Sequence, residues 1–87
     1  MTLVYVLIRA RHGNEGIVNA KLSKYDEIVE NHEVFGRYDI IAKVETEDMD
    51  SFKKFIKNKI RVLDGIKSIE PIFVSDDVSS DNGFDDY

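Results

Sequence analysis

Leu3-Val4-Tyr5-Val6-Leu7-Ile8 is an unbroken apolar run of strand length, ended by Arg9-Ala10-Arg11-His12-Gly13. In an extended chain Val4, Val6 and Ile8 point to one side and Leu3, Tyr5 and Leu7 to the other, so both faces need cover. Asn14 can cap a helix, and the stripe Ile17, Val18, Ala20, Lys21, Leu22 and Tyr25 predicts one over about 14 to 25, weakened by Gly16. Residues 28–35 alternate as a second strand does. Gly36-Arg37-Tyr38-Asp39 separates them from Ile40-Ile41-Ala42-Lys43-Val44-Glu45, which gives a hairpin. Thr46 or Asp48 then caps a helix carrying Met49, Phe52, Phe55, Ile56, Ile60 and Leu63 on one face. Asp64-Gly65 closes it, glycine supplying the left-handed stop. Residues 66–74 form the last strand, and Pro71, which has no N–H to donate, places that strand at a sheet edge or a bulge.

The order β-α-β-β-α-β predicts an α+β ferredoxin-like sandwich, with two helices on one face of a four-stranded antiparallel sheet. Two helices cover only one face. The other carries half of the apolar residues of the first, third and last strands, a patch larger than monomers usually leave in water. At roughly 25 cal/mol per Å², hiding even about 500 Å² of it contributes about 12 kcal/mol before association costs. Face-to-face pairing of two sheets into a dimeric α/β barrel, as a homodimer or a higher homo-oligomer, is the simplest remedy.

Composition points the same way. A chain of 87 residues reaches only marginal stability by burial alone, and with no Cys it has no disulfide to help, so association is the remaining source. The absence of cysteine, of a long apolar run and of a cleavable leader predicts a cytoplasmic protein with no membrane contact. The net charge of -5 comes from Asp76, Asp77, Asp81, Asp85 and Asp86; without them the chain holds twelve acids against twelve bases. That balance supplies no basic surface for a phosphate backbone, so direct DNA binding is not expected. Residues 75–87, rich in Ser, Asp, Asn and Gly, read as an acidic disordered tail behind a domain at 1–74.

Candidate chemistry is sparse. His12 and His32 lack any metal-ligand spacing, no serine sits in a nucleophile elbow, and no glycine-rich loop follows a strand. Catalytic residues, metal ligands and cofactors are therefore not expected. Glu45, Glu47, Asp48 and Asp50 cluster at a helix start, where the macrodipole favours negative charge. Tyr5, Phe52, Phe55 and Phe73 occupy core-like positions, and the apolar third strand lacks the exposed aromatics of an RNA-binding sheet. The turn Gly36-Arg37-Tyr38-Asp39 is the one stretch richer than a hairpin needs. A zwitterionic amino acid would find in it Arg37 or backbone amides near Gly36 for its carboxylate and Asp39 for its ammonium. An ordinary turn held by an Asx hydrogen bond accounts for the same residues.

The stretch from Ile28 to Val44, with Gly36, Tyr38 and Asp39 between two apolar strands, resembles the second and third strands of the regulatory domain of the Lrp/AsnC family. Leu63-Asp64-Gly65-Ile66 is similar to the family's turn before its final strand, and the likeness covers nearly all of residues 1–74. It implies a sheet-to-sheet dimer, often built into rings, that binds small effectors, usually amino acids, where dimers meet; the ligand-binding residues would be Gly36, Arg37, Tyr38 and Asp39. Family regulators carry an N-terminal helix-turn-helix, whereas this chain starts at the first strand, so the resemblance is to a stand-alone form that partners full-length regulators. Ile69-Glu70-Pro71 departs from the threonines often found in the final strand. Two alternatives stand beside this one: a structural interaction module without ligand, and a cofactor-free enzyme on the same barrel that uses Tyr38 and Asp39.

Overall fold

The computed structural model describes residues 1–74. Its elements are β1 (Thr2–Ala10), α1 (Glu15–Leu22), β2 (Ile28–Glu33), β3 (Ile40–Thr46), α2 (Met49–Phe55), which runs on as a π-helical turn over Ile56–Ile60, and β4 (Ile66–Phe73). The strands form one antiparallel sheet in the order β2-β3-β1-β4. This is the expected ferredoxin-like arrangement, with the Pro71-containing strand at an edge.

Alternation along β1 sorts its side chains as expected. Val4, Val6 and Ile8 are fully buried beneath the helices with Ile40, Ala42 and Val44 of β3, while Leu3, Tyr5 and Leu7 are only half-buried on the other side. The helices complete the core with Val18 and Leu22 from α1 and Phe52, Phe55, Ile56 and Ile60 from the second helical segment. Tyr25 meets Phe55 edge to face at 5.6 Å, closing the end of the core between the helices. Asn31 on β2 donates to the Asn19 carbonyl at 2.8 Å and to Asn19 Oδ1 at 2.6 Å, and so fixes the end of α1 to the sheet.

Several local expectations are corrected. Asn14 makes no side-chain capping bond; Glu15 Oε1 instead accepts from the Gly13 amide at 3.1 Å, and α1 stops at Leu22. Asp48, not Thr46, caps α2, its carboxylate accepting from the Ser51 amide at 2.8 Å. The second helix is not α-helical throughout: the Arg61 amide donates to the carbonyl of Ile56, five residues back, at 2.9 Å, which defines the π turn. β2 ends at Glu33, leaving Phe35 fully exposed in the loop. Tyr5 and Phe73 lie outside the core, Tyr5 on the open face and Phe73 exposed. The acidic tail at 75–87 lies outside the described residues.

The register defines the open face. Leu3, Tyr5, Leu7 and Arg9 of β1 stand beside Glu45, Lys43 and Ile41 of β3 on one flank and beside Ile72, Glu70 and Ser68 of β4 on the other. Glu30 and His32 of β2 border Lys43 and Ile41. Apolar side chains therefore run along β1 on this face, joined by Ile41 and Ile72, with Lys43 of the inner strand β3 beside Tyr5 and Glu70 of the edge strand β4 beside Leu7.

Candidate ligand-binding site

Gly36 has φ +119°, in a region that only glycine occupies without strain, and it turns the chain back from β2 toward β3. An added Cβ there would meet nothing within 4 Å, so the glycine serves backbone geometry and not a close approach. The turn it creates folds over the end of β1. Asp39 secures it: its Oδ2 accepts from the Ala10 amide at 2.8 Å, its own amide donates to the Ile8 carbonyl at 2.9 Å, and its carbonyl accepts from the Val34 amide at 2.8 Å. One carboxylate oxygen of Asp39 is thus engaged by backbone 29 residues away, and not by an Asx bond within the turn.

Tyr38 reaches the edge strand β4, where its hydroxyl donates to Glu70 Oε1. That hydrogen bond raises the Tyr38 phenol above its ordinary value, burial and the carboxylate's charge adding to it while Arg37 and Arg9 oppose. The phenol stays protonated and remains a donor at neutral pH.

Arg9, Gly36, Arg37 and Tyr38 line an open, mainly polar cavity of about 230 Å³. Two exposed guanidiniums and the Glu70 carboxylate thereby converge near one turn. Such a set offers bidentate donors to a carboxylate and an acceptor to an ammonium. Of the residues expected from sequence, Gly36, Arg37 and Tyr38 line this cavity, whereas Asp39 lies behind it as its anchor. Arg9 and Glu70 were missed. Arg9 follows Leu3, Tyr5 and Leu7 at the strand period of two, so its face was readable; Glu70 joins only through the pairing of β4 with β1. The cavity opens at the end of the sheet's uncovered face, to which Arg9, Ser68 and Glu70 belong.

Among the described residues no group of three or more His, Asp or Glu is placed to hold a metal ion. None of their helices is long and apolar enough to cross a membrane.

Residues 3–84 match the model of the Lrp/AsnC ligand binding domain. The chain is 31% identical over 72 residues to the HTH-type transcriptional regulator FL11 of Pyrococcus furiosus, a stretch covering 83% of this chain and 47% of FL11. It therefore spans about half the length of the curated relatives it matches. Its fold superposes on the crystal structure of the hypothetical protein PHS023 from Pyrococcus horikoshii with a TM-score of 0.82 at 32% identity, covering 85% of this chain and 89% of that one. On Escherichia coli AsnC the TM-score is 0.80 at 28% identity, over 84% of this chain and 50% of AsnC. With most of its length matched by the family model and its fold shared with these structures, the chain belongs to the Lrp/AsnC ligand binding domain family.

Proposed function

We propose that this chain is a non-catalytic sensing and assembly module for transcription regulation, which binds a small zwitterion, an amino acid, beside the β2–β3 turn and self-associates through its open sheet face. The observation that carries the ligand reading is the convergence of Arg9, Arg37 and Tyr38 on the 230 Å³ cavity, with Glu70 hydrogen-bonded to Tyr38. Arg9 and Arg37 take the carboxylate, and Glu70, released from Tyr38, takes the ammonium. Asp39 holds the turn in place for both.

Association follows from the open face, on which Leu3, Tyr5, Leu7, Ile41 and Ile72 lie together with Lys43 and Glu70 beside them, a mixture of apolar and charged groups that protein interfaces use. The site lies at the end of that face. Phe35, fully exposed next to Gly36, gives the same corner an apolar contact for a further subunit. An effector bound at such a seam favours the assembly that contains it, by linkage. Full-length regulators of the same family, which share this fold, are the partners such a module would join. The enzyme alternative relies on Tyr38 and Asp39 acting as a pair, but their side chains bond to Glu70 and to Ala10 respectively, and no observation favours it.

A thermal-shift screen of the twenty amino acids at millimolar concentration tests the ligand reading. At least one raises the melting temperature of the native chain, and Arg37→Ala, whose side chain is exposed and forms no ion pair among the described residues, removes that rise. No shift with any amino acid would leave the module a scaffold without ligand.

A further inference from the structure

The cavity beside the β2–β3 turn is lined by the guanidiniums of Arg9 and Arg37, the phenol of Tyr38 and the main chain at Gly36. No aliphatic side chain is among them. At about 230 Å³ the space falls below the roughly 300–1,000 Å³ of pockets that hold drug-sized ligands, so its occupant is of amino-acid size.

The two guanidiniums have separate supports. Arg9 stands on β1, where the pairing with β4 slips between Arg9 and Ala10, an irregularity of the sort that re-aims side chains beside binding sites. Arg37 stands on the turn, which Asp39 fastens to the same stretch of β1 through the Ala10 amide. Both arginines are exposed, and neither forms an ion pair among the described residues. Both charges bear on the Tyr38 phenol, opposing the rise that its hydrogen bond to Glu70 causes. The neighbouring carboxylates are already engaged: Glu70 Oε1 accepts from Tyr38 and Asp39 Oδ2 from Ala10. Two like charges are thus held around one small space, with only water to screen them.

We propose that the ligand preferred at this cavity is an amino acid with a second acidic group, aspartate or glutamate, its two carboxylates shared between Arg9 and Arg37 and its ammonium met by Glu70. The preference rests on the effector reading above and narrows it. An amino acid with a neutral side chain sets one carboxylate against two guanidiniums and leaves a positive charge unmatched. A second carboxylate completes the match through planar, paired N–H donation, the geometry a guanidinium favours. An aliphatic side chain finds no aliphatic wall here and gains little from leaving water.

Calorimetric titration of the full chain with aspartate, asparagine, glutamate, glutamine, leucine and succinate at low salt tests the preference. Asparagine and glutamine keep the size of the two acids and lose only the charge. The expected result is that aspartate or glutamate binds at least about fivefold tighter than its amide, the gain from one well-formed surface ion pair. The gap narrows as salt is raised, and Arg9→Gln brings acid and amide to near equality. Leucine binds more weakly than either acid, and succinate, which has no ammonium for Glu70, more weakly than aspartate. An amide or leucine that binds as tightly as the acids, or a gap that Arg9→Gln leaves undiminished, would overturn the preference while the effector reading stands. Succinate equal to aspartate would overturn it too, since the ammonium would then play no part. Absence of binding by every amino acid would overturn both.

Discussion

Asp39 joins three segments by itself, and its removal has a definite expected cost. Ala10 is 6% exposed, and without the Asp39 carboxylate its amide loses its partner where water reaches poorly. A donor left unsatisfied in this way costs about 1–3 kcal/mol. Asp39→Ala is expected to lower the unfolding free energy by that amount with no amino acid present, read as a lower denaturant midpoint at an unchanged slope, while Asp39→Asn, which keeps an acceptor, restores most of it. An Asp39→Ala midpoint equal to that of the native chain would show that the carboxylate is not the anchor described. The turn's unusual composition was legible in the sequence, but the partner of its aspartate was not. Local spacing offered an Asx bond or a ligand's ammonium, whereas the actual partner comes from the far end of β1 and depends on the β1–β3 register. Gly36, with its positive φ, was readable at the residue level because only the backbone is involved.

At the scale of elements, the second helical segment shows both what periodicity conveys and where it stops. Of the expected stripe Phe52, Phe55, Ile56 and Ile60 are buried, whereas Met49 at the helix start is exposed and Leu63 beyond its end only half-buried, and Asp48 caps the first turn. The π turn was not readable, since the apolar spacing across it is the same for either helix type; only the bond from Arg61 to Ile56 distinguishes them. The cap carries a pH dependence. The Ser51 backbone and side-chain hydrogen bonds hold the Asp48 carboxyl below its ordinary 3.8, Lys54 and the N-terminus assisting and burial opposing. Because the folded value is the lower one, this stabilisation is complete above the ordinary carboxyl range and is lost as pH falls below 3.8 through the folded value. Asp48→Ala should therefore reduce the melting temperature at neutral pH and flatten its decline between pH 4 and lower values, as followed by circular dichroism. A decline as steep as that of the native chain would mean that other carboxylates carry it. Pro71 narrowed β4 to an edge or a bulge, and the sheet order shows the edge, but a groove between β4 and the second helical segment was not legible, because it arises from where the helices settle on the sheet.

At the scale of the whole molecule the organising feature is the sheet's uncovered face. Strand alternation and the count of helices made that face legible in the sequence, and the strand register gathers Leu3, Tyr5, Leu7, Ile41 and Ile72 on it. The same register puts Arg9 and Glu70 at its end, so the proposed ligand site and the proposed association face share one corner of the domain. A substituent that spoils the centre should consequently disturb both. The most direct measurement is the mass of the native chain in solution by light scattering at micromolar concentration, alongside Leu7→Glu, which sets a charge in the middle of the face. A native mass of at least two chains that falls to one chain for Leu7→Glu is the outcome this account predicts; a native mass of a single chain, unmoved by the substitution, would contradict it.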